Sequence, residues 1–459
     1  MQHDLGANFC VVGHPNKGKS SIVATLTEID SVVIGPESGT TQKADAFHFK
    51  VDQKVVLTLT DTPGFQRARE VLSWLQQSAV APHERPDRVR AFLAIEDHQQ
   101  RFKDEVELLT PIMQGAGVVF VTDASSPVSS SDIAEMEILR WTGQPRMAVI
   151  NPIAGEAFQQ EWAQTLNQYF QWVREFDPLK APLESRLRLL SAMAELVESE
   201  QRQAVLSLVD FLKRREIQRT DQLAEQIAHY WCEQMTRQLD VERFPNMTAA
   251  EKALQIALNE AETEQFAKWI AAFNYSQLGL RNESDWIADY ADLMNLEHWS
   301  YWGLKPQQLL WVSGAAGAAA GSMVDVGTAG GSMLLGAVTG GLLGTAGGWL
   351  MTQTNPGRRL RLPGIRKHQY VGPVKHPNFP FVLMSRALSF VQQLRSRTHA
   401  RRDQLALTAN PSNWASSEQV ALLRWAKQLQ SGKWNQASQH ALETWVLSCL
   451  DATEDRDIR

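Results

Sequence analysis

Cysteine is scarce in this 459-residue chain, with only Cys10, Cys232 and Cys449, far apart and without CxxC or CxH spacing. That scarcity argues against a disulfide framework and a cysteine-based zinc site, and it points to a reducing compartment. No basic stretch leading into a long apolar run stands near residue 1, so no secretory signal is expected and a cytoplasmic location is. An excess of positive charge is missing too. Lys and Arg number 45 against 51 Asp and Glu, a net of -6, so the whole chain has no general pull on nucleic acid. Two local basic runs remain, Arg358-Arg359-Leu360-Arg361 and Arg395 to Arg402, either of which could act on a polyanion. The length implies two or three domains.

What is present concentrates near residue 13. The stretch GHPNKGKSS, Gly13 to Ser21, fits G-x-x-x-x-G-K-[ST] with Gly13, Gly18, Lys19 and Ser20 at the defining positions. Asn8 to Val12 before it is a short apolar run suited to a buried parallel strand, and Ile22, Val23 and Leu26 after it have helical spacing. Backbone N–H groups in such a loop can wrap phosphate oxygens, and the helix N-terminus adds partial positive charge. Lys19 would reach the β- and γ-phosphates, the Ser20 hydroxyl would bind Mg²⁺, and Asn16, Lys17 and Ser21 belong to the same cradle.

The pattern continues as alternating strands and helices. Ala44 to Val51 alternates like an edge strand, and Val55 to Thr60 reads as its partner, ending in Asp61-Thr62-Pro63-Gly64. An Asp at a strand's carboxyl end can hold Mg²⁺ through water, and a glycine three residues on can offer its N–H to a γ-phosphate. Phe65 to Gly115 reads as one long helical connection. Gly117 to Asp123 and Met147 to Asn151 read as strands, Asp132 to Trp141 and Glu156 to Tyr169 as helices, and Trp172 to Phe176 closes the series. The order implies an α/β fold, a parallel sheet flanked by helices, with its ligand at the strands' carboxyl ends.

GHPNKGKSS, the GTT of Gly39, Thr40 and Thr41, and DTPGF at Asp61 to Phe65 together resemble the Era/TrmE-like (TRAFAC class) P-loop GTPases over residues 8 to 180. The resemblance implies GTP as ligand, Thr41 as a switch I Mg²⁺ ligand beside Ser20 and Asp61, and Asp61 to Gly64 as the switch II sensor. Lys19, Thr41 and Gly64 would then be catalytic. Thr62, Pro63 and Ser38 have a second reading as ordinary turn residues. Asn16 stands where potassium-activated relatives bind K⁺, or else it braces the loop. The base is ordinarily read by N-K-x-D, but this chain has Asn151-Pro152-Ile153-Ala154, without the lysine stem and the carboxylate. Phe65 occupies the place of the glutamine that orients water in signalling GTPases, and Arg67 and Arg69 read as surface residues. Ser191-Ala192 matches the family's late S-A motif by letters but lies in a helical run.

The remainder, Leu183 to Tyr301, is helical in pattern throughout, and the His229–Glu233 spacing permits a metal pair without an evident third ligand. Leu309 to Met351 carries one charge, Asp325, and small-xxx-small spacings such as Gly336/Gly340 and Gly340/Gly344. It has room for a helical hairpin, either inserted at the cytoplasmic face of a membrane or buried in the helical half. Tyr370 to Pro380 reads as loop, Phe381 to Leu407 as helix, and the end as a helix pair. The expected domains are a GTPase domain over 1–182, a helical domain over 183–308, the hairpin over 309–351 and a basic linker with helices over 352–459. Three functions stay open: a GTPase switching a helical effector half, a nucleotide-gated scaffold with little turnover, and a ribosome- or RNA-associated factor. A lipid bilayer and a nucleotide-dependent homodimer are the other partners considered.

Overall fold

The computed structural model describes residues 6–28, 45–152, 157–275, 293, 299–305, 308, 353–354, 369–401 and 414–451. The expectations on Gly39 to Thr41, Ala154, the hairpin of 309–351 and the basic run Arg358 to Arg361 lie outside these residues. The chain divides into two compact units: residues 1–217 with 274–277 and 396–403, and residues 218–273 with 278–395 and 404–459.

The first unit is built on a six-stranded sheet of order β2-β3-β1-β4-β5-β6. Its strands are β1 (Ala7–Val12), β2 (Asp45–Val51), β3 (Lys54–Asp61), β4 (Gly117–Asp123), β5 (Arg146–Asn151) and β6 (Trp172–Glu175). Only the edge strand β2 runs antiparallel; every other pairing is parallel. Parallel strands buried on both faces need apolar residues at every position, and β4 is buried throughout its length.

Side-chain alternation sends the strand residues to two cores. Phe9, Val11, Val119, Val121 and Val149 face one layer, formed by α1 (Lys19–Thr27), α8 (Leu183–Ala194) and the start of α9 (Ser199–Thr236). Leu187, Leu190, Val205 and Leu208 fill that layer, which is why the first unit runs on to Ile217, past residue 182. Cys10, Val12, Val118, Phe120 and Ile150 face the other layer. The helices that alternate with strands β3 to β6 in sequence, namely α2 (Ala68–Gln76), α3 (Arg85–Leu93), α4 (Glu96–Arg101), α5 (Lys103–Met113), α6 (Ser130–Trp141) and α7 (Gln159–Leu166), supply that layer. Each large apolar side chain so buried contributes about 1.5–3 kcal/mol.

The 65–115 connection is long and helical as expected, and consists of four helices and a 3₁₀ turn. Pro82 and Pro86 set two of its breaks, because proline suits the first turn of a helix and not its interior. The helical reading of Leu183 to Tyr301 needs correction. It is interrupted after Ala194, and again by a short strand, β7 (Leu239–Asp240), before α10 (Met247–Ala272), whose first turn Asn246 caps.

In the second unit β7 joins β8 (Gln353–Thr354) and β9 (Gln369–Val371) in a small antiparallel sheet of order β7-β9-β8. Part of the expected loop at Tyr370 to Pro380 is thus strand, and the helix after it, α11 (Phe379–Ser396), starts before Phe381 and ends before Leu407. Residues all around α11 are buried, as expected of a helix apolar on every side. Phe390 stacks on Phe266 of α10 at 4.0 Å, and the Arg386 guanidinium grips the Glu262 carboxylate with contacts of 2.6 and 2.8 Å. The expected terminal pair is α12 (Ser416–Gln430) and α13 (Gln436–Asp451).

Side chains bear on two of the expectations. Glu233 pairs with Arg237 at 2.8 Å and not with His229, and no group of three metal-type ligands occurs among the described residues. Part of the basic run after residue 394 turns inward: Arg395 donates to the Leu450 carbonyl at 2.7 Å and Arg397 is buried, while Arg401 is exposed. Among the described residues no helix is long and apolar enough to cross a membrane.

Candidate nucleotide site

Strand β1 delivers the chain into the loop at Gly13, where the backbone has φ +136° and an added Cβ would stand 2.3 Å from the Val121 carbonyl oxygen. No side chain fits there, so the loop can turn beneath the neighbouring strand only with glycine. The loop ends at Gly18, which caps α1 without a side-chain hydrogen bond, and no acidic residue stands in the helix's first turn. The N–H groups at that end are therefore left for an anion.

Lys19 is 7 % exposed, and its ammonium donates to the Gly13 and His14 carbonyls at 3.1 and 3.2 Å. Burial lowers its pKa, while the nearby Asp61 and Glu135 carboxylates oppose that shift. A phosphate would give this cation a stronger partner than two neutral carbonyls.

Asp61 ends β3 opposite Val11, so the sheet register alone brings it to the loop. Ser20 Oγ donates to Asp61 Oδ2 at 2.6 Å. A hydroxyl and a carboxylate brought together are hard oxygen donors of the kind Mg²⁺ selects, and so these two residues fit the metal. Thr62 is fully buried with its hydroxyl on the Val11 carbonyl at 2.8 Å, which gives it a structural task. Pro63 is buried, and Gly64 lies so close to Pro15 that an added Cβ would meet the ring at 2.7 Å. Phe65 is buried in the sheet's second core, whereas Gln66, Arg67 and Arg69 are exposed.

At the opposite end of the loop, Asn151 closes β5 and donates through Nδ2 to the Lys17 carbonyl at 3.1 Å. Asn16 is exposed in left-handed backbone with φ +64°, and Ser20 and Ser21 are half-buried at the start of α1.

Several residues of the site have no place in the motifs. His14 Nδ1 lies 2.9 Å from Glu135 Oε1, and that Glu is wholly buried on α6. Burial pushes the Glu135 carboxyl up to about 7 against the opposing pull of His14, and the contact with Glu135 raises the His14 imidazole in turn. Asp123 ends β4 and accepts from Lys17 Nζ at 2.9 Å and from the Ser125 hydroxyl at 2.6 Å. Burial pushes the Asp123 carboxyl up, but the Ser125 and Lys17 bonds outweigh it and hold it below the usual range. Buried Glu105 of α5 accepts the backbone N–H groups of Gln66 and Arg67 at 2.8 and 2.5 Å, fixing the segment after Gly64. A carboxylate closing the apolar run of β4 was a visible signal for Asp123. Glu105 and Glu135 carried none, being acidic residues on helices.

Against known proteins, a family model described as "50S ribosome-binding GTPase" matches residues 8–151, and one described as "Domain of unknown function (DUF3482)" matches residues 163–446. GTPase Der of Hyphomonas neptunium is 26 % identical over 141 residues, which are 30 % of this chain and 28 % of that protein. GTPase Der of Lactobacillus helveticus is 28 % identical over 209 residues, 44 % of this chain and 42 % of that protein. The chain thus spans less than half the length of these relatives. Among solved structures, Aquifex aeolicus Era bound to GDP.AlF4- overlaps 42 % of this chain and 57 % of its own at 16 % identity and a TM-score of 0.30. The GDP-bound FeoB G-domain of S. thermophilus overlaps 45 % of this chain and 89 % of its own at 14 % identity and a TM-score of 0.18. The sheet order, the loop and the family match over residues 8–151 make the amino-terminal fold that of a P-loop GTPase.

Proposed function

We propose that this chain, which belongs to the family described as domain of unknown function DUF3482, is a Mg²⁺-dependent GTPase whose amino-terminal domain switches its helical carboxy-terminal half. The observation that carries the reading is the joint placement of Lys19, Ser20 and Asp61 at one end of the sheet, around a helix N-terminus with no acidic residue and no capping side chain.

Gly13 to Ser21 would hold the phosphates through backbone N–H groups, and Lys19 would leave its two carbonyls for the β- and γ-oxygens. Ser20 and Asp61, with Thr41, would hold Mg²⁺, which supplies charge neutralisation at the transferring phosphoryl group. Water attacks in line, and the N–H of Gly64 would report the γ-phosphate to the segment that Glu105 holds. Residue Glu28 supports a route outward. It caps the carboxyl end of α1, and its buried carboxylate grips Arg186 of α8 at 2.6 Å and Arg215 of α9 at 2.5 Å. A displacement of α1, which begins at the phosphate loop, would therefore act on the two helices that follow the sheet.

Turnover is slow in this reading, because Phe65 is buried where a water-orienting side chain would stand. The same observation favours the second reading, a nucleotide-gated scaffold with negligible hydrolysis. Single-turnover GTP hydrolysis with and without Mg²⁺ separates them, and running it in KCl and in NaCl tests whether Asn16 recruits K⁺. Slow Mg²⁺-dependent hydrolysis supports the GTPase; GTP binding without hydrolysis in either salt supports the scaffold. Equal rates in both salts remove the potassium role.

The target of the switch is a membrane surface or a ribosomal RNA in this reading, the first resting on the composition of 309–351. The second rests on the family model over residues 8–151, whose description is "50S ribosome-binding GTPase". Sedimentation with membranes or with ribosomes, with and without a GTP analogue, tells them apart; a protein that pellets with neither contradicts both.

A further inference from the structure

The lysine and carboxylate of N-K-x-D are absent from the sequence after Asn151, and the structure shows a different device beside the Asn151 amide. Asp123 and Asn151 are register partners at the carboxyl ends of β4 and β5. Both reach the same loop residue. Asn151 Nδ2 donates to the Lys17 carbonyl, and Lys17 Nζ donates to Asp123 Oδ1, so Lys17 is held at its backbone and at the tip of its side chain.

The Lys17–Asp123 contact differs from a surface ion pair. The side chains are 15 % and 9 % exposed, and Asp123 Oδ1 also receives the Ser125 hydroxyl and the Ser125 N–H at 2.6 and 3.2 Å. A shielded carboxylate with three donors has little freedom to turn away, and its ammonium partner is screened less than an exposed one. Lys17 also immediately precedes Gly18, where the phosphate-facing helix begins. The lattice thus joins the phosphate cradle to two adjacent strand ends.

From this we infer that Lys17 and Asp123 are the positioning residues for the base end of the nucleotide: their ion pair locks the loop onto the sheet and sets the orientation of the Asn151 amide. An amide with one N–H on the Lys17 carbonyl has a second N–H and an acceptor oxygen for a base. Pro152 offers no side-chain donor, and the loop supplies the cation instead. The amide so held meets a purine ring nitrogen that guanine and adenine share, so the device selects purines over pyrimidines. It does not by itself choose guanine.

The inference rests on the nucleotide-site reading, and the test separates the two. Kd values for GDP and UDP are measured by calorimetry for the full chain, for Lys17→Met, Asp123→Asn, the double variant and Lys17→Arg, with thermal unfolding of each as a check on folding. Either single change is expected to weaken GDP binding about tenfold, and the double variant should be no weaker than either single one, as coupled residues behave. The GDP to UDP preference should fall in the same variants, and Lys17→Arg should keep most of it. A merely structural pair would lower the two affinities equally and leave the preference untouched, which would overturn the inference. So would losses that add in the double variant, or unchanged GDP binding in folded Lys17→Met. A wild-type chain that binds no GDP would overturn the nucleotide reading itself.

Discussion

The two ends of the proposed site are built on different principles. At the phosphate end every contact is local to a motif or set by sheet register: Gly13 under Val121, Lys19 on its own loop's carbonyls, Ser20 on Asp61. At the base end one amide, Asn151, survives from the expected pattern, and the loop is tied down by Lys17 and Asp123, 106 positions apart. In this account phosphate recognition would depend on backbone geometry and one cation, which ties it closely to the motif. Base recognition would depend on a few side chains that the fold can supply from elsewhere.

The sharpest way to break the comparison is at Lys19. Lys19→Ala should reduce GTP affinity by at least ~100-fold, because it removes the buried cation that the loop's Gly13 and His14 carbonyls hold within the proposed phosphate cradle. Equilibrium binding of a fluorescent GTP analogue checks this, and near-normal binding would mean that the loop is not the phosphate site.

A smaller effect is expected at Glu105. Its carboxylate accepts two N–H groups of the segment after Gly64, and charged acceptors contribute about 1.5–3 kcal/mol each to such bonds. Glu105→Gln retains an acceptor, so it should cost roughly 1–2 kcal/mol of unfolding free energy and raise amide exchange at residues 65–71. Unchanged exchange there would remove Glu105 from the switch.

The smallest effect concerns pH. The folded Glu135 carboxyl titrates near 7, above its ordinary 4.5, so between these values the folded protein binds more protons than the unfolded chain. Stability from this group is present at low pH and is lost as pH rises from about 4.5 through about 7. His14, also raised, acts in the same direction: its stabilising protonated form is lost as pH rises through the raised value. Other groups facing the pair are Asp132, Lys17 and Lys19. In Glu135→Gln, the fall in unfolding temperature across pH 5–8 should flatten; an unaltered slope would mean that the pair does not titrate in this range.

How much of this was legible depended on the range of the interaction. The fully buried strand Gly117 to Asp123 was readable to the residue, because a parallel strand covered on both faces is a plain apolar run. The helix around Ser191-Ala192 was readable from its periodicity, and Phe65 from its type. Strands β7 and β9 were not, since ladders of two or three residues carry no period to detect. Within the site, the Lys19–Ser20–Asp61 group followed from motif spacing, whereas His14–Glu135 and Lys17–Asp123 join residues more than 100 positions apart. Asp123 was visible as the carboxylate closing β4, but nothing local in the sequence pairs it with Lys17 or Glu135 with His14; only the packing of β4 and α6 against the loop brings these partners together.

The most direct measurement is calorimetric titration of the full chain with GTP and with ATP, each with Mg²⁺ in excess. A site anchored at its phosphate end should bind both nucleotides, and the family match over residues 8–151 predicts a modest preference for GTP, about tenfold or ~1.4 kcal/mol at most, arising from contacts other than the Asn151 amide. Equal affinity or a preference for ATP would contradict the guanine assignment, and binding of neither would contradict the account as a whole.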